Sequence, residues 1–256
     1  MKLTMTVLQF LEDTGNLSRF TARYFAIGFR KPFETRELFR QCYNIGYKSF
    51  TLVSLTSLII GLVLTMQLRP SLVKYGVESR LPIMVGIAII REIGPVVAAL
   101  IFAGKIASSI GAELGSMKVT EQIDAMEVSG TNPFKYLVAT RVLACTIMLP
   151  ILIVMADAIA LVGAFIGINI QGVTSLRLFF SEIFNSLELT DILPSYIKTY
   201  FFGFVIGIVG AYKGYNAVKG TRGVGNAANS AVVLASVLIF IIDLLAVQIT
   251  EILGLN

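Results

Sequence analysis

The sequence has no histidine, no tryptophan and only two cysteines, Cys42 and Cys145, among its 256 residues. Without histidine, neither a Ser-His-Asp nor a Cys-His catalytic unit can be built. Two cysteines so far apart indicate neither a disulfide framework nor a Cys/His zinc site. We therefore predict no catalytic residues and no metal site in this chain.

Charged residues are also scarce, at 14% of the chain against roughly 25% in an ordinary soluble domain. Hydrophobic residues reach 55%, and the mean hydropathy is +0.79. A soluble domain of this size could not bury so much apolar surface. The apolar residues form long unbroken runs, which favours helices over a barrel. The predicted fold class is an all-α integral membrane protein, and the net charge of +5 does not indicate a nucleic-acid partner.

Five apolar runs are long enough to cross the hydrocarbon core, for which a helix needs roughly 20 residues. We place these spans at about 50–68, 83–104, 142–168, 196–212 and 231–253, within one transmembrane domain over residues 49–256. Small residues recur at four-residue spacing, for example Gly163 and Gly167, which favours close helix packing.

Lysine and arginine are unevenly distributed around these spans. Of the 21 basic residues, 15 lie before the first span or in the loops after the second and fourth, five lie on the other side, and Arg91 lies within a span. Because basic residues collect on the cytoplasmic side of a membrane, we predict a cytoplasmic N-terminus and a C-terminus on the opposite side. No transit peptide is visible, which favours a bacterial inner membrane over a plastid.

Two stretches outside the spans have the pattern of amphipathic helices. Residues 1–48 include apolar and basic positions at helical spacing, which are Leu17, Phe20, Tyr24 and Ile27 with Arg19, Arg23 and Arg30. We predict an interfacial helix on the cytoplasmic membrane face, with a soluble helix packed on a partner as the alternative. Residues 176–187 predict a helix on the outer membrane face, with a re-entrant segment as the alternative.

Four charged residues fall within the predicted spans: Arg91, Glu92, Asp157 and Asp243. A charge at the helix centre costs about 2.5–3.5 kcal/mol if it faces lipid, so we expect these side chains to face protein or a water-filled cavity. Adjacent helix residues point about 100° apart, so Arg91 and Glu92 should have different neighbours. Arg91 could pair structurally with Asp157 or Asp243, or Arg91 and Glu92 could gate a substrate cavity. We predict Asp157 and Asp243 to be structural charge partners.

The loop between the second and third spans is less apolar and contains a candidate docking helix. Thr120 can cap a short helix that starts at Glu121, with Asp124 also near its positive end. Such a helix would present Ile123, Met126 and several carboxylates to a cytosolic partner, whereas a solvated loop is the alternative. The chain has no phosphate-binding loop of the ATPase type, so any ATP must bind to another chain.

Three stretches around the second predicted span and the following loop form a recognisable set: residues 91–100 (REIGPVVAAL), 103–108 (AGKIAS) and 112–126 (AELGSMKVTEQIDAM). Together they closely resemble the signature of the MlaE/YrbE family of ABC-transporter permeases. The resemblance is weaker at residues 214–217 and 223–227 and at Asp243. The sequence departs from the family pattern at Lys105, where arginine is common, and at residues 226–229, where a threonine-rich run is often seen.

The resemblance implies a homodimeric permease that works with a periplasmic MCE-domain protein. The function it implies is ATP-driven movement of phospholipids between the inner membrane and that partner, which maintains outer-membrane lipid asymmetry. It places ATP and magnesium on a separate cytosolic ABC ATPase, so this chain would bind no cofactor itself. It maps the family's Arg-Glu pair, at the lipid cavity, onto Arg91 and Glu92. The segment that it implies for ATPase coupling comprises Thr120, Glu121, Gln122, Ile123, Asp124, Met126 and Glu127.

Two other classes of function are compatible with the residues alone. An ion-conducting or secondary transporter could use Glu92, Asp157 and Asp243 as a relay. An intramembrane hydrolase would need these carboxylates as acids, but they lie on different spans with no partner motif.

Overall fold

The computed structural model describes residues 2–28, 34–170, 172 and 174–254, with side chains from residue 12 onward, and this part of the chain is almost wholly helical without a strand. The all-α prediction is confirmed. Arg30, from the predicted amphipathic pattern, lies outside the described residues.

The α-helices are α1 (Lys2–Ile27), α2 (Thr35–Cys42), α3 (Lys48–Lys74), α4 (Leu81–Ala88), α5 (Gly94–Val119), α6 (Gln122–Val128), α7 (Thr140–Asn169), α8 (Leu176–Ser186), α9 (Leu189–Tyr215) and α10 (Thr221–Ile252). Shorter elements are the π-helical segments Tyr43–Tyr47, Ile89–Ile93 and Phe134–Ala139 and the 3₁₀ turn Glu78–Arg80.

Five helical stretches are long and apolar enough to cross a membrane, which confirms the predicted number. They cover Thr35–Lys74, Glu78–Val119, Phe134–Asn169, Leu189–Tyr215 and Thr221–Ile252. Each is longer than its prediction because the helices continue past the apolar runs. The fourth begins at Leu189 instead of residue 196. Lys198, which the count above included among the five basic residues on the outer side, lies well inside this helix, so that placement was wrong.

The chain divides into two compact units. Unit 1 comprises Met1–Tyr43, Ala103–Cys145 and Phe204–Ala235, and unit 2 comprises Asn44–Phe102, Thr146–Gly203 and Ser236–Asn256. Both units contain parts of the transmembrane stretches, so this division does not test the predicted domain boundary at residue 49, which stays a prediction.

In unit 1, the apolar face of α1 packs against protein. The Phe20 ring meets the rings of Phe134 and Tyr212 edge-on, with centroids 5.0 and 5.5 Å away. The Tyr24 ring meets that of Phe204 at 5.7 Å, and its burial raises the pKa of Tyr24 to about 12, so the phenol stays neutral. Phe20 and Tyr24 therefore do not make the predicted lipid contact, whereas Phe25 is exposed; the membrane-face position of the segment stays a prediction.

In unit 2, α8 forms over the predicted amphipathic stretch. The hydroxyl of Ser175 accepts a hydrogen bond from the N–H of Leu178 and caps the helix. Phe179 and Ile183 are fully buried, and Ile183 packs where Gly86 of α4 leaves room for it. Phe184, an apolar residue of the same helix, is exposed. The position of α8 at the outer membrane face stays a prediction.

Also in unit 2, glycines bring α3 and α7 into backbone contact. A Cβ at Gly61 would collide with the carbonyl of Ala160, and a Cβ at Gly163 would collide with the carbonyl of Leu58. Thr65 continues this seam, because its side chain lies against Gly167. The spaced glycines therefore serve packing within the chain here, as small residues do in membrane helices.

Replacing Gly61 with alanine should destabilise the protein, because the new methyl group has no space between the two backbones. We expect a loss of about 1–3 kcal/mol, typical of overpacking, measured by thermal unfolding in detergent with circular dichroism. Gly225 of α10 is the matched control because a Cβ there meets open space. Gly225→Ala should be neutral or stabilising by up to about 1 kcal/mol, and equal effects of the two substitutions would contradict the packing assignment.

Candidate functional site

Arg91 and Glu92 lie in a π-helical segment, Ile89–Ile93, between α4 and α5. The N–H of Gly94 donates to the carbonyl of Ile89, five residues back. The next carbonyl in that register is that of Ile90, but its donor would be Pro95, which has no N–H. The Ser195 hydroxyl of α9 donates to this carbonyl at 2.7 Å. The local sequence thus opens the helix at the two charged residues, and α9 supplies the missing hydrogen bond.

Lys198 of α9 is almost fully buried, with 4% of its side chain exposed. Its ammonium donates to Glu92 Oε2 at 2.5 Å and to Asp243 Oδ1 at 2.8 Å. One cation therefore joins the π-helical segment, α9 and α10. Because a buried charge without a partner is strongly destabilising, these three residues depend on one another.

Arg91 has a different partner from its neighbour. Its guanidinium donates to Asp191 Oδ1 at 3.2 Å, at the start of α9. The Asp191 carboxylate also accepts the backbone N–H of Glu188 at 3.2 Å through its other oxygen. The alternative in which Arg91 pairs with Asp157 or Asp243 was therefore wrong. Asp243 forms its ion pair with Lys198, and Asp157 accepts a hydrogen bond from Tyr196.

Asp157 of α7 is buried beside the π-helical segment. The hydroxyl of Tyr196 donates to its Oδ2 at 3.4 Å. Its Oδ1 has no hydrogen-bond partner among the described residues, and a Cβ at Gly94 would collide with it. Asp157 therefore contacts α9 through a tyrosine and makes no ion pair in the described part of the chain.

The sequence interpretation missed Lys198, Asp191, Ser195 and Tyr196 as site residues. All four lie in the first turns of α9, which begins at Leu189, before the predicted start of the fourth span at residue 196. Leu193, Ile197 and Phe201 recur at four-residue spacing through Pro194. This spacing extends the helix to before residue 196 and brings Ser195 into it.

Two adjoining cavities surround this charged cluster in unit 2. The first is a narrow polar pocket of about 20 Å³, lined by Arg91, Glu92, Asp191 and Lys198 together with residues of α9 and α10. The second is an open groove of about 390 Å³ between α9 and α10. Its lining is almost entirely apolar and includes Ile197, Phe201, Ile242, Leu245 and Ile249.

Lys198 lines both cavities, as do Pro194, Ala246 and Thr250. A groove of this size is within the usual range of ligand sites, roughly 300–1,000 Å³. The pair offers charges of both signs at one end and hydrocarbon contact along the rest. This arrangement suits an amphiphilic molecule. No group of metal-ligating side chains occurs within the described ranges.

The predicted docking helix forms in unit 1 as α6, but two of its details were wrong. Thr120 does not cap the helix; its hydroxyl donates to the carbonyl of Ser116 at 2.8 Å, because α5 continues to Val119. Glu121 holds the N-cap position in a left-handed conformation, with φ of 59°. Ile123 is buried and faces the protein, whereas Met126 is partly exposed.

The exposed surface of α6 is polar and negatively charged. Asp124 pairs with Lys118 at 2.8 Å, and Glu121 lies 3.6 Å from the ammonium of Lys219. The exposed residues are Glu121, Gln122, Asp124, Ala125, Glu127 and Val128.

Arg141 holds the two ends of the loop that carries α6. Its buried guanidinium donates to Glu113 of α5 at 2.7 Å and to the carbonyl of Leu137 at 2.9 Å. These contacts join the C-terminal part of α5 to the start of α7. The loop that carries α6 therefore has a fixed base.

Comparison with known proteins finds similarity along most of the chain. Residues 38–249 match the family model described as Permease MlaE. A probable ABC transporter permease protein of Rickettsia typhi is 36% identical over 247 residues, which is 96% of this chain and 94% of that protein. A probable ABC transporter permease protein of Pyropia yezoensis is 37% identical over 210 residues, 82% and 80% of the two chains. One from Synechocystis sp. is 32% identical over 206 residues, 80% and 78%.

Replacing Lys198 with methionine should destabilise the protein, because Glu92 and Asp243 would lose their shared cation. We expect a loss of about 3–5 kcal/mol, as for other buried ion pairs with one partner removed, measured by thermal unfolding in detergent.

Adding Glu92→Gln and Asp243→Asn to the Lys198→Met variant should restore part of this loss, because the uncompensated charges are then gone. Arg177→Met, at an exposed position, is the control for removing a cation. If the triple variant were no more stable than Lys198→Met alone, the three side chains would not act as a unit.

Proposed function

The chain belongs to the MlaE permease family, and on this premise we propose that it is the membrane subunit of an ATP-driven phospholipid transporter. It is an ABC transporter permease and a multi-pass membrane protein. The lipid substrate is inferred from unit 2. The observation that carries this inference is a charged pocket that adjoins an apolar groove, with Lys198 lining both.

A phospholipid has the same division of chemistry as these two cavities. Its acyl chains would lie in the groove against Ile197, Leu245 and Ile249. Its charged headgroup would meet Arg91 and Lys198, whose cations can bind a phosphate through charge-assisted hydrogen bonds. The pocket of about 20 Å³ has room for roughly one water molecule, so its charges are closed on each other. Arg91 and Glu92 thus act as a gate that opens when a headgroup enters, because Arg91 then leaves Asp191 and Glu92 leaves Lys198.

The groove is open along α10, which supports assembly as a homodimer. Only 17% of the most apolar stretch of α10 is buried within the chain. Phe240 and Leu244 are among its exposed apolar residues. A second copy of the chain could cover this face and enclose the groove, which would shield bound acyl chains from water.

The basic residues support an orientation in a bacterial inner membrane with the N-terminus in the cytoplasm. Counted around the apolar runs of the sequence, 15 basic residues lie on the cytoplasmic side and four on the outer side, once Lys198 joins Arg91 among the charges within the runs. In this orientation unit 2 contains the periplasmic ends of the spans. A periplasmic MCE-domain protein would exchange lipid with the groove there, and the complete system would maintain outer-membrane lipid asymmetry.

The energy would come from a separate cytosolic ABC ATPase that binds ATP and magnesium. We assign its docking surface to the exposed residues of α6, which projects from the base braced by Arg141 and Glu113. ATP binding by that partner would shift α6 and rock the spans of the two permease subunits, which would drive lipid between the membrane and the MCE protein.

The charge geometry gives less support to an ion relay or a hydrolase. Glu92 and Asp243 are both held by Lys198, and Asp157 contacts a tyrosine. A relay needs carboxylates that exchange protons or ions, and a hydrolase needs a carboxyl group free to act as an acid. The ammonium of Lys198 instead forms ion pairs with two of these three carboxylates, Glu92 and Asp243.

Filling the groove should block lipid movement. We expect Leu245→Trp to lower lipid transfer by the reconstituted ATPase–permease–MCE complex at least about tenfold, because the indole would occupy the space of an acyl chain. Transfer of fluorescent phospholipid between donor and acceptor vesicles is the measurement.

Leu244→Trp is the matched control, because Leu244 is a similarly exposed neighbour on α10 that does not line the groove. Loss of transfer in both variants would implicate the dimer surface instead, and full transfer with Leu245→Trp would reject the groove as the lipid site.

Reversing the charge of α6 should uncouple the ATPase. In the reconstituted complex, we expect Glu121→Lys with Asp124→Lys to reduce lipid-stimulated ATP hydrolysis roughly tenfold, because docking would lose its charge complementarity. Glu12→Lys with Glu34→Lys makes the same charge change elsewhere in unit 1 and should leave the rate near wild type. Unchanged coupling in the α6 variant would remove the docking assignment.

A further inference from the structure

A second recess, in unit 1, takes no part in the function proposed above. It has a volume of about 450 Å³ and lies between α1 and the end of α9. It is lined by Asn16, Arg19, Phe20, Arg23, Tyr212 and Asn216. The α1 residues precede the region matched by the family model, which begins at residue 38.

Two arginines that form no ion pair with a described residue line this recess. Arg19 and Arg23 are one helical turn apart on α1 and are both exposed. Like charges at this spacing destabilise a helix, yet neither guanidinium forms an ion pair with a described residue. The acidic residues before them form no ion pair with either arginine in the described part of the chain: Asp13 binds Lys213 at 3.5 Å, and Glu12 is exposed about two turns before Arg19.

Aromatic residues around the recess hold one of the two arginines in place. The Arg23 guanidinium carbon lies 4.5 Å from the centroid of the Phe134 ring, a cation–π contact that orients the side chain. Phe20 and Tyr212 are buried and form a rigid aromatic base. Asn16 and Asn216 add amide groups at the rim. The recess is therefore a built cavity and not only a charged helix face.

We propose that this recess binds a phosphate group. The planar fork of each guanidinium matches two phosphate oxygens, which makes arginine the preferred residue for phosphate recognition. The phosphate belongs either to the headgroup of an anionic phospholipid or to a soluble phosphate compound. Binding neutralises the repulsion between Arg19 and Arg23 and fastens α1 to the aromatic base. This inference does not depend on the lipid-transport proposal.

The test uses the full-length protein in nanodiscs of phosphatidylcholine, with or without phosphatidylglycerol. Native mass spectrometry measures how much phosphatidylglycerol the protein retains. Thermal unfolding in the phosphatidylcholine discs, with and without inorganic phosphate, detects a soluble ligand. The variants are Arg19→Gln with Arg23→Gln, which removes both charges, and Arg19→Lys with Arg23→Lys, which keeps charge but loses the fork.

The control is Arg36→Gln with Arg222→Gln. It removes two exposed arginines of unit 1 that lie outside the recess and form no ion pair with a described residue. It corrects for general attraction between a basic surface and an anionic membrane. The lysine variant keeps the experiment decisive if the glutamine variant unfolds.

With a lipid ligand, retained phosphatidylglycerol should fall roughly tenfold in the glutamine variant and partly in the lysine variant, but not in the control. With a soluble ligand, inorganic phosphate should raise the unfolding temperature of wild type and control only. Either result supports the phosphate site and identifies its source. Equal lipid retention by all four proteins, together with no phosphate-dependent stabilisation, would overturn the proposal. Lipid transfer through the groove of unit 2 would be unaffected by that failure.

Discussion

A single buried ammonium group holds together the charged part of unit 2. Lys198 is the shared partner of Glu92 and Asp243, and it joins three helical elements that are far apart in sequence. Placing a charge in an apolar environment is costly unless it is paired. The two carboxylates therefore require Lys198, and Lys198 requires both of them. The position of α9 beside the π-helical segment and α10 follows from this mutual need.

Pro95 explains why the contact with α9 occurs at Arg91 and Glu92. A proline near the start of α5 cannot donate to the carbonyl of Ile90, so a carbonyl is left open in an apolar setting. Ser195 supplies the donor, and Lys198 lies almost one turn further along the same helix. The covalent chemistry of one residue thus creates the opening, and two side chains of α9 fill it. Gly94 adds space in which the Asp157 carboxylate can approach.

The sequence predicts those features that depend on local pattern. The length of apolar runs determines the five spans, and amphipathic spacing determines α8. The partners of Arg91 and Glu92 were not predictable, because Asp191 and Lys198 lie about 100 residues away and no local pattern links them. The start of α9 at Leu189 was not predicted, because Pro194 lies inside this helix, where a proline more often ends one. Thr120 was misassigned because a threonine hydroxyl can either donate to a carbonyl four residues back in α5 or cap the N-terminus of α6. The local sequence does not distinguish these two hydrogen bonds.

Under the proposed function, the closed pocket and the open groove of unit 2 differ in how a lipid would enter them. An acyl chain can enter the groove without breaking any polar contact, since the lining is apolar and open. A headgroup can enter only if the ion pairs of Arg91 and Lys198 separate, which exposes charges that now satisfy one another. Binding of the apolar part therefore needs no external energy, whereas admission of the headgroup does. A permease built in this way has a physical reason to be coupled to ATP, because the energy-requiring step is the opening of the charged cluster and not the burial of the hydrocarbon.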